Sequence, residues 1–211
     1  MNGLFSYEGV LTQTLIKLGK CMCLGMLWVV TSLPILTIGA ANSAVAYTVR
    51  KVREDQDGVC KLYWKSFKAN FAQATISWAT VSVLFSLLIY SCYCSYVMFL
   101  SDIIGVAVPL VVSILVLIAY MWAQYVFPYI AFFANDTMTI LKNCFVIAIL
   151  NIHWSILLVL IALASVLCSI LIPMGFLVMP ALGMLIKSYA LDKVFQKYQL
   201  TPEEIENDYS E

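Results

Sequence analysis

The chain has 211 residues, 63% of them hydrophobic and only 11% charged, and its twelve basic and twelve acidic side chains cancel. Soluble domains carry about 25% charged residues, so the composition excludes an ordinary soluble domain, and the neutral balance gives no reason to expect a nucleic-acid partner. Between Ala69 and Ile186 only Asp102, Asp136 and Lys142 are charged, which is the pattern of an all-α, polytopic helical membrane protein.

Residues 1–20 form the first expected element. Leu4, Tyr7, Leu11, Leu15 and Leu18 recur three or four apart, while Gln13, Lys17 and Lys20 fall largely elsewhere, so an amphipathic helix feeds the membrane domain at 21–191. A helix needs ~20 apolar residues to cross the hydrocarbon. By that measure five membrane-embedded segments are expected, at about 21–45, 75–100, 104–127, 149–171 and 174–191. The runs lack the short alternating pattern of barrel strands. A cleaved signal peptide is not expected, because the first apolar run starts after twenty residues and leads into further spans.

The first segment contains Ser32-Leu33-Pro34-Ile35-Leu36-Thr37-Ile38-Gly39. Pro34 and Gly39 interrupt a helix at its midpoint, and Pro34, Thr37 and Gly39 form a candidate turn motif. The segment is either a kinked span or a re-entrant hairpin, and the sequence leaves both open. The insert at 50–71 ends in a basic amphipathic stretch. Leu62, Tyr63, Trp64, Phe67 and Phe71 share one arc, and Lys61, Lys65 and Lys68 stack on the other. Such a helix lies in the headgroup layer as an anchor or offers a docking surface to a partner. The candidate contact residues are Lys61, Trp64, Lys65, Phe67 and Lys68.

The positive-inside rule places 50–68, Lys142, Lys187, Lys193 and Lys197 in the cytoplasm, so ten of the twelve basic residues agree with one orientation. Lys17 and Lys20 join them only if the first segment returns. Lys187, near the end of the last segment, is expected to snorkel to the interface. The tail at 192–211 is acidic from Thr201 onward, and one short helix is expected to start at Thr201-Pro202.

Chemistry-bearing patterns are sparse. The seven cysteines read as packing residues, since Cys21-Met22-Cys23 and Cys92-Tyr93-Cys94 lack the C-x-x-C spacing. The single histidine, His153, has no ligand partners in spacing, and no nucleophile, phosphate-loop or metalloprotease motif occurs. Neither metal, cofactor nor enzymatic activity is expected. Asn135-Asp136-Thr137 matches a glycosylation pattern but falls on the expected inner side. No ionisable side chain falls near the middle of an expected segment, which argues against proton or ion coupling. Gln124 is the deepest amide and serves either as a bond to a neighbouring helix or as a substrate contact. Small residues at helical spacing, Gly39 with Ser43, Ala40 with Ala44, Ala119 with Ala123 and Ser165 with Ser169, suit close helix contacts.

The stretch Ser32 to Ala41, followed by Ala44, Tyr47, Val49, Arg50 and Lys51 and then by Trp64, Phe67, Lys68, Asn70, Phe71 and Gln73, resembles the bacterial YesL family, a domain of unknown function. Ala40 stands where the family frequently has proline after the glycine. The resemblance implies a multi-pass protein of the bacterial cytoplasmic membrane with a cytoplasmic C-terminus, whose genes tend to sit beside carbohydrate ABC importers. Two functions are therefore expected to compete. One is a non-catalytic accessory subunit of a carbohydrate ABC importer, contacting permease or ATPase subunits through membrane helices and the basic helix. The other is a stand-alone carrier or channel for a small neutral solute such as a sugar, using Gln124, Asn151, Ser77 and the aromatic residues.

Overall fold

The structure is a computed structural model that describes residues 10–54, 56–102, 104–133, 135–171 and 175–198. Among these residues it is helical, with no strand. The elements are α1 (Val10–Ser32), a short 3-10 turn at Ile35–Thr37, α2 (Ile38–Arg53), α3 (Val59–Leu100), α4 (Ala107–Phe132), α5 (Thr137–Leu150), α6 (Ile152–Leu171) and α7 (Gly175–Phe195). The short helix expected from Thr201 lies outside the described residues.

The first apolar segment is a helical hairpin. Pro34 is extended, with φ −75° and ψ 118°, and has no N–H to continue α1. The Thr37 hydroxyl sits within reach of the carbonyls of Thr31 and Pro34, 2.5 and 2.7 Å away, so one side chain caps acceptors that the broken helix leaves open. The chain then returns: Trp28 Nε1 of α1 donates to Asn42 Oδ1 of α2 at 2.8 Å. At the open end, Lys20 Nζ donates to the Asp57 carboxylate, 2.8 Å away in the α2–α3 loop. That hydrogen bond, and then the lysine's charge, hold the Asp57 carboxyl below the usual range. Because the folded pKa is depressed, this tie contributes above about pH 4 and fades as the pH falls further.

In α2, ten of sixteen residues are buried, among them Gly39, Ala40, Ala41, Ser43, Ala44 and Ala46. With no large side chains to hold it off, α2 packs against α1, α3, α4 and α7. Gly39 marks the closest approach, since a Cβ there would overlap the Ala74 carbonyl oxygen and Trp78 Cβ of α3.

Beyond the hairpin stands a helix bundle. The pairs Trp78–Phe127, Phe85–Tyr120 and Cys92–Ser113 run up α3 and down α4, so these two are antiparallel. Tyr125 of α4 meets Ser155 of α6 at 3.0 Å. Gly183 of α7 abuts Ser165 of α6, and Lys193 lies over the Trp154 ring, which makes α6 and α7 antiparallel as well. Helices α3, α4 and α6 are long and apolar enough to cross a membrane, and Gly19–Ser32 and α5 are shorter apolar helices. Their outer faces leave Val83, Leu87, Leu110, Leu160, Leu163 and Leu167 more than half exposed, a surface that lipid covers and water does not.

Three boundaries differ from expectation. Residues 10–20 are not a separate amphipathic helix but the start of α1. The basic stretch 59–71 is likewise not a separate interfacial helix. It forms the first turns of α3, because no proline or glycine interrupts Val59 to Leu100. At 1.5 Å per residue α3 is about 63 Å long, about twice the ~30 Å hydrocarbon thickness. Its basic turns therefore project past the apolar layer. The third difference is α5, a 14-residue apolar helix absent from the expected segments. Asp136 caps it by accepting from Met138 N at 3.2 Å, which gives the Asn135-Asp136-Thr137 pattern a structural role.

Candidate functional site

The hairpin and bundle border a half-open cavity of about 630 Å³, lined by side chains of α1, α2, α3, α4, α6 and α7. Its walls are mixed. Trp28, Trp78, Phe85, Tyr120 and Phe127 supply rings, while Ser82, Ser86, Ser165 and Ser169 supply hydroxyls from two helices. The serines pair at i and i+4, which places each pair on one helix face. Ser86, Ser165 and Ser169 donate to the carbonyl four residues back at 2.7 to 2.8 Å, so their oxygens face inward as acceptors. Ser82 Oγ is buried without a partner. Asn42 uses its carbonyl oxygen for Trp28, so it presents amide hydrogens to the space.

The polar centre is Lys187, whose Nζ donates to Gln124 Oε1 at 2.7 Å. Both side chains line the cavity. Lys187 was expected to snorkel from the end of its segment. Instead α7 continues to Phe195, which leaves Lys187 about 12 Å short of the helix end and turned into the bundle. Pro128 lies inside α4 four residues after Gln124. Having no N–H, it leaves the Gln124 backbone carbonyl without its helical donor, and Pro128 also lines the cavity. Gln124 thus accepts from Lys187 with its side chain and has a backbone carbonyl free of its helical donor.

At the base of α7 stands an ion cluster. Arg53 Nη1 donates to Asp192 Oδ2 at 2.5 Å and to Ser188 Oγ at 2.9 Å. Arg50 lies 3.9 Å from the same carboxylate. Arg50 also covers the Phe132 ring and Arg53 the Tyr189 ring, at 4.7 and 3.8 Å, so the hairpin is tied to both α4 and α7.

The other anticipated residues separate into groups. Lys61, Trp64, Lys65 and Lys68 are exposed on one face of α3. Phe67 departs from the expected surface contact, because the helix turns it inward. It is half-buried, stacks on Tyr63 at 6.1 Å and packs against buried hydrophobic residues of the interior. Pro34 is exposed, Thr37 half-buried and Gly39 buried, so the turn motif shapes the hairpin and does not line the cavity. Asn151 and Ser77 also lie away from it. Asn151 donates to Tyr198 Oη at 2.9 Å and to the Ile147 carbonyl, and Ser77 is buried between helices. His153 is exposed, 5.6 Å from the Trp154 ring. Among the described residues, no three His, Cys, Asp or Glu side chains converge as metal ligands.

Sequence reading found Gln124 but missed Lys187, Asn42, Trp28, Ser82 and Ser86. The i, i+4 serines on α3 were the available signal, but such serines also satisfy themselves on their own helix.

The family model described as "Protein of unknown function, DUF624" matches residues 21–92. That is about a third of the chain, the hairpin and most of α3, which contribute Trp28, Asn42, Trp78 and Ser82 to the cavity. The other half of the site, with Gln124 and Lys187, lies outside the match. No curated protein and no solved structure matches the chain.

Proposed function

We propose that the chain is a non-catalytic membrane protein that holds a small solute in the cavity between its hairpin and its bundle, as a carrier or channel does. The observation that carries this reading is the cavity itself: about 630 Å³, within the range of small-molecule sites, with ring walls and a few convergent polar groups. Aromatic faces give a solute apolar contact area, and the serine oxygens, the Asn42 amide and the Lys187–Gln124 pair fix its orientation. The basic end of the bundle, holding Lys20, Arg50, Arg53, Lys61, Lys65 and Lys68, is assigned to the cytoplasm of a bacterial membrane by the positive-inside rule. Reconstituted alone in liposomes, the protein is expected to bind or pass solutes from a panel of sugars and small organic acids. The cavity-filling Ala123→Phe variant is expected to lose that property. Absence of binding and flux across the panel would refute the reading.

A second reading, accessory subunit of a carbohydrate ABC importer, rests on the YesL resemblance and on one structural feature. Lys61, Lys65 and Lys68 form an exposed basic row on turns of α3 that project past the apolar layer, a surface suited to an acidic face of a cytoplasmic subunit. Permease or ATPase subunits are then expected to accompany the protein through mild purification, and to be lost on substituting the three lysines by glutamate.

A further inference from the structure

Resting on the solute-binding reading, we infer that the occupant of the cavity carries an anionic group, a carboxylate or a phosphate, which Lys187 pairs. A lysine ammonium within a helix bundle is costly unless a counter-charge or several acceptors meet it. The acceptor that meets Lys187 is the neutral Gln124 amide. Every described carboxylate is engaged or distant: Glu54 with Arg50 and Lys51, Asp57 with Lys20, and Asp192 with Arg53 and Arg50. Asp136 caps α5, and Asp102 lies just past the Leu100 end of α3, the opposite end of that helix from its basic turns. Beyond Lys187 on α7, Arg50 and Arg53 meet Asp192 and Arg50 also meets Glu54, so those carboxylates are matched by guanidiniums and none is left over for Lys187.

The donors among the cavity groups fit such an occupant. Lys187 has two N–H bonds beyond the one given to Gln124, which a carboxylate or phosphate oxygen can accept, and Asn42 lines the same cavity with an amide whose oxygen is already used by Trp28. The rings of Trp28, Trp78 and Phe127 suit the body of the molecule. The anion has two sources of the same chemistry: a free small solute, or the headgroup of an anionic lipid that enters between helices.

The test measures equilibrium binding by quenching of tryptophan fluorescence, since Trp28 and Trp78 line the cavity, in nanodiscs of phosphatidylcholine. The probes are matched pairs differing only in charge, gluconate against glucitol and benzoate against benzamide, together with the solute panel used for the function. At least one acid is expected to bind ten-fold or more tightly than its neutral partner. Lys187→Gln is expected to abolish that preference, and Lys187→Arg to retain it, with thermal midpoints of both variants close to that of the wild type. If instead no acid binds in phosphatidylcholine but added phosphatidylglycerol quenches the signal in a Lys187-dependent way, the anion is a lipid headgroup. Equal binding of acids and neutral partners, or a preference that survives Lys187→Gln, overturns the inference and leaves the solute site standing. If none of the probes, the panel or the lipid binds, both fall.

Discussion

Gly39 shows how one residue sets the position of a helix. A Cβ added there meets backbone of α3, which cannot rotate away, so Gly39→Ala is expected to cost about 1–3 kcal/mol through overpacking. Gly19, also helical but with nothing within 4 Å of its added Cβ, provides the contrast. Gly19→Ala is expected to be neutral or to stabilise by about 0.5–1 kcal/mol. Thermal midpoints of the two variants in the same detergent check both, and equal shifts would contradict the close α2–α3 packing. At this scale the sequence was informative where small residues cluster, since the spacing of Gly39 with Ser43 and Ala40 with Ala44 marks the buried face of α2. It was uninformative for Lys187, because its environment depends on where α7 ends. No local signal separates a lysine at the last turn from one two turns earlier.

At the scale of elements the hairpin is the feature with most consequences. Pro34 and Gly39 made the break legible, but the return of the chain depends on Lys20 with Asp57 and Trp28 with Asn42, pairs that sequence spacing does not announce. The thiols of Cys23 on α1 and Cys60 on α3 lie 3.7 Å apart, which allows a direct check. In a variant keeping only these two cysteines, copper phenanthroline with oxygen is expected to join them, so that the fragments cleaved at an engineered protease site in the 33–37 turn stay linked until reduced. Free fragments would rule out the hairpin. The Arg53–Asp192 pair ties the hairpin to α7 in a partly buried setting, so Arg53→Ala is expected to cost about 1.5–3 kcal/mol. Asp192→Asn alone is expected to be costly as well, because Arg53 loses its carboxylate, and the double variant is expected to cost less than the sum of the two single variants. Two elements escaped sequence reading for physical reasons. The 14 residues of α5 fall short of a 20-residue membrane window. The basic turns of α3 carry an amphipathic pattern that an interfacial helix would share, and only the absence of a breaker before Leu100 distinguishes the two.

For the whole molecule, the fold class follows from composition, because a chain with so few charges must bury its backbone groups in helices within lipid. The arrangement of charge gives the expected direction. A cysteine placed at Ser101, beyond the end of α3, is expected to react with an impermeant maleimide on intact cells, and Cys60 only after permeabilisation; the reverse order would invert the topology. The cavity was the least legible feature, since its walls come from six helices and its polar groups lie as far apart in sequence as Trp28 and Lys187. The most direct measurement is an experimental density map of the protein purified in mild detergent without added ligand. Non-protein density between the hairpin and the bundle, in contact with Lys187 and Gln124, is the predicted result. A cavity closed by inward movement of Trp28 and Trp78, with Lys187 turned out to the interface, would contradict it.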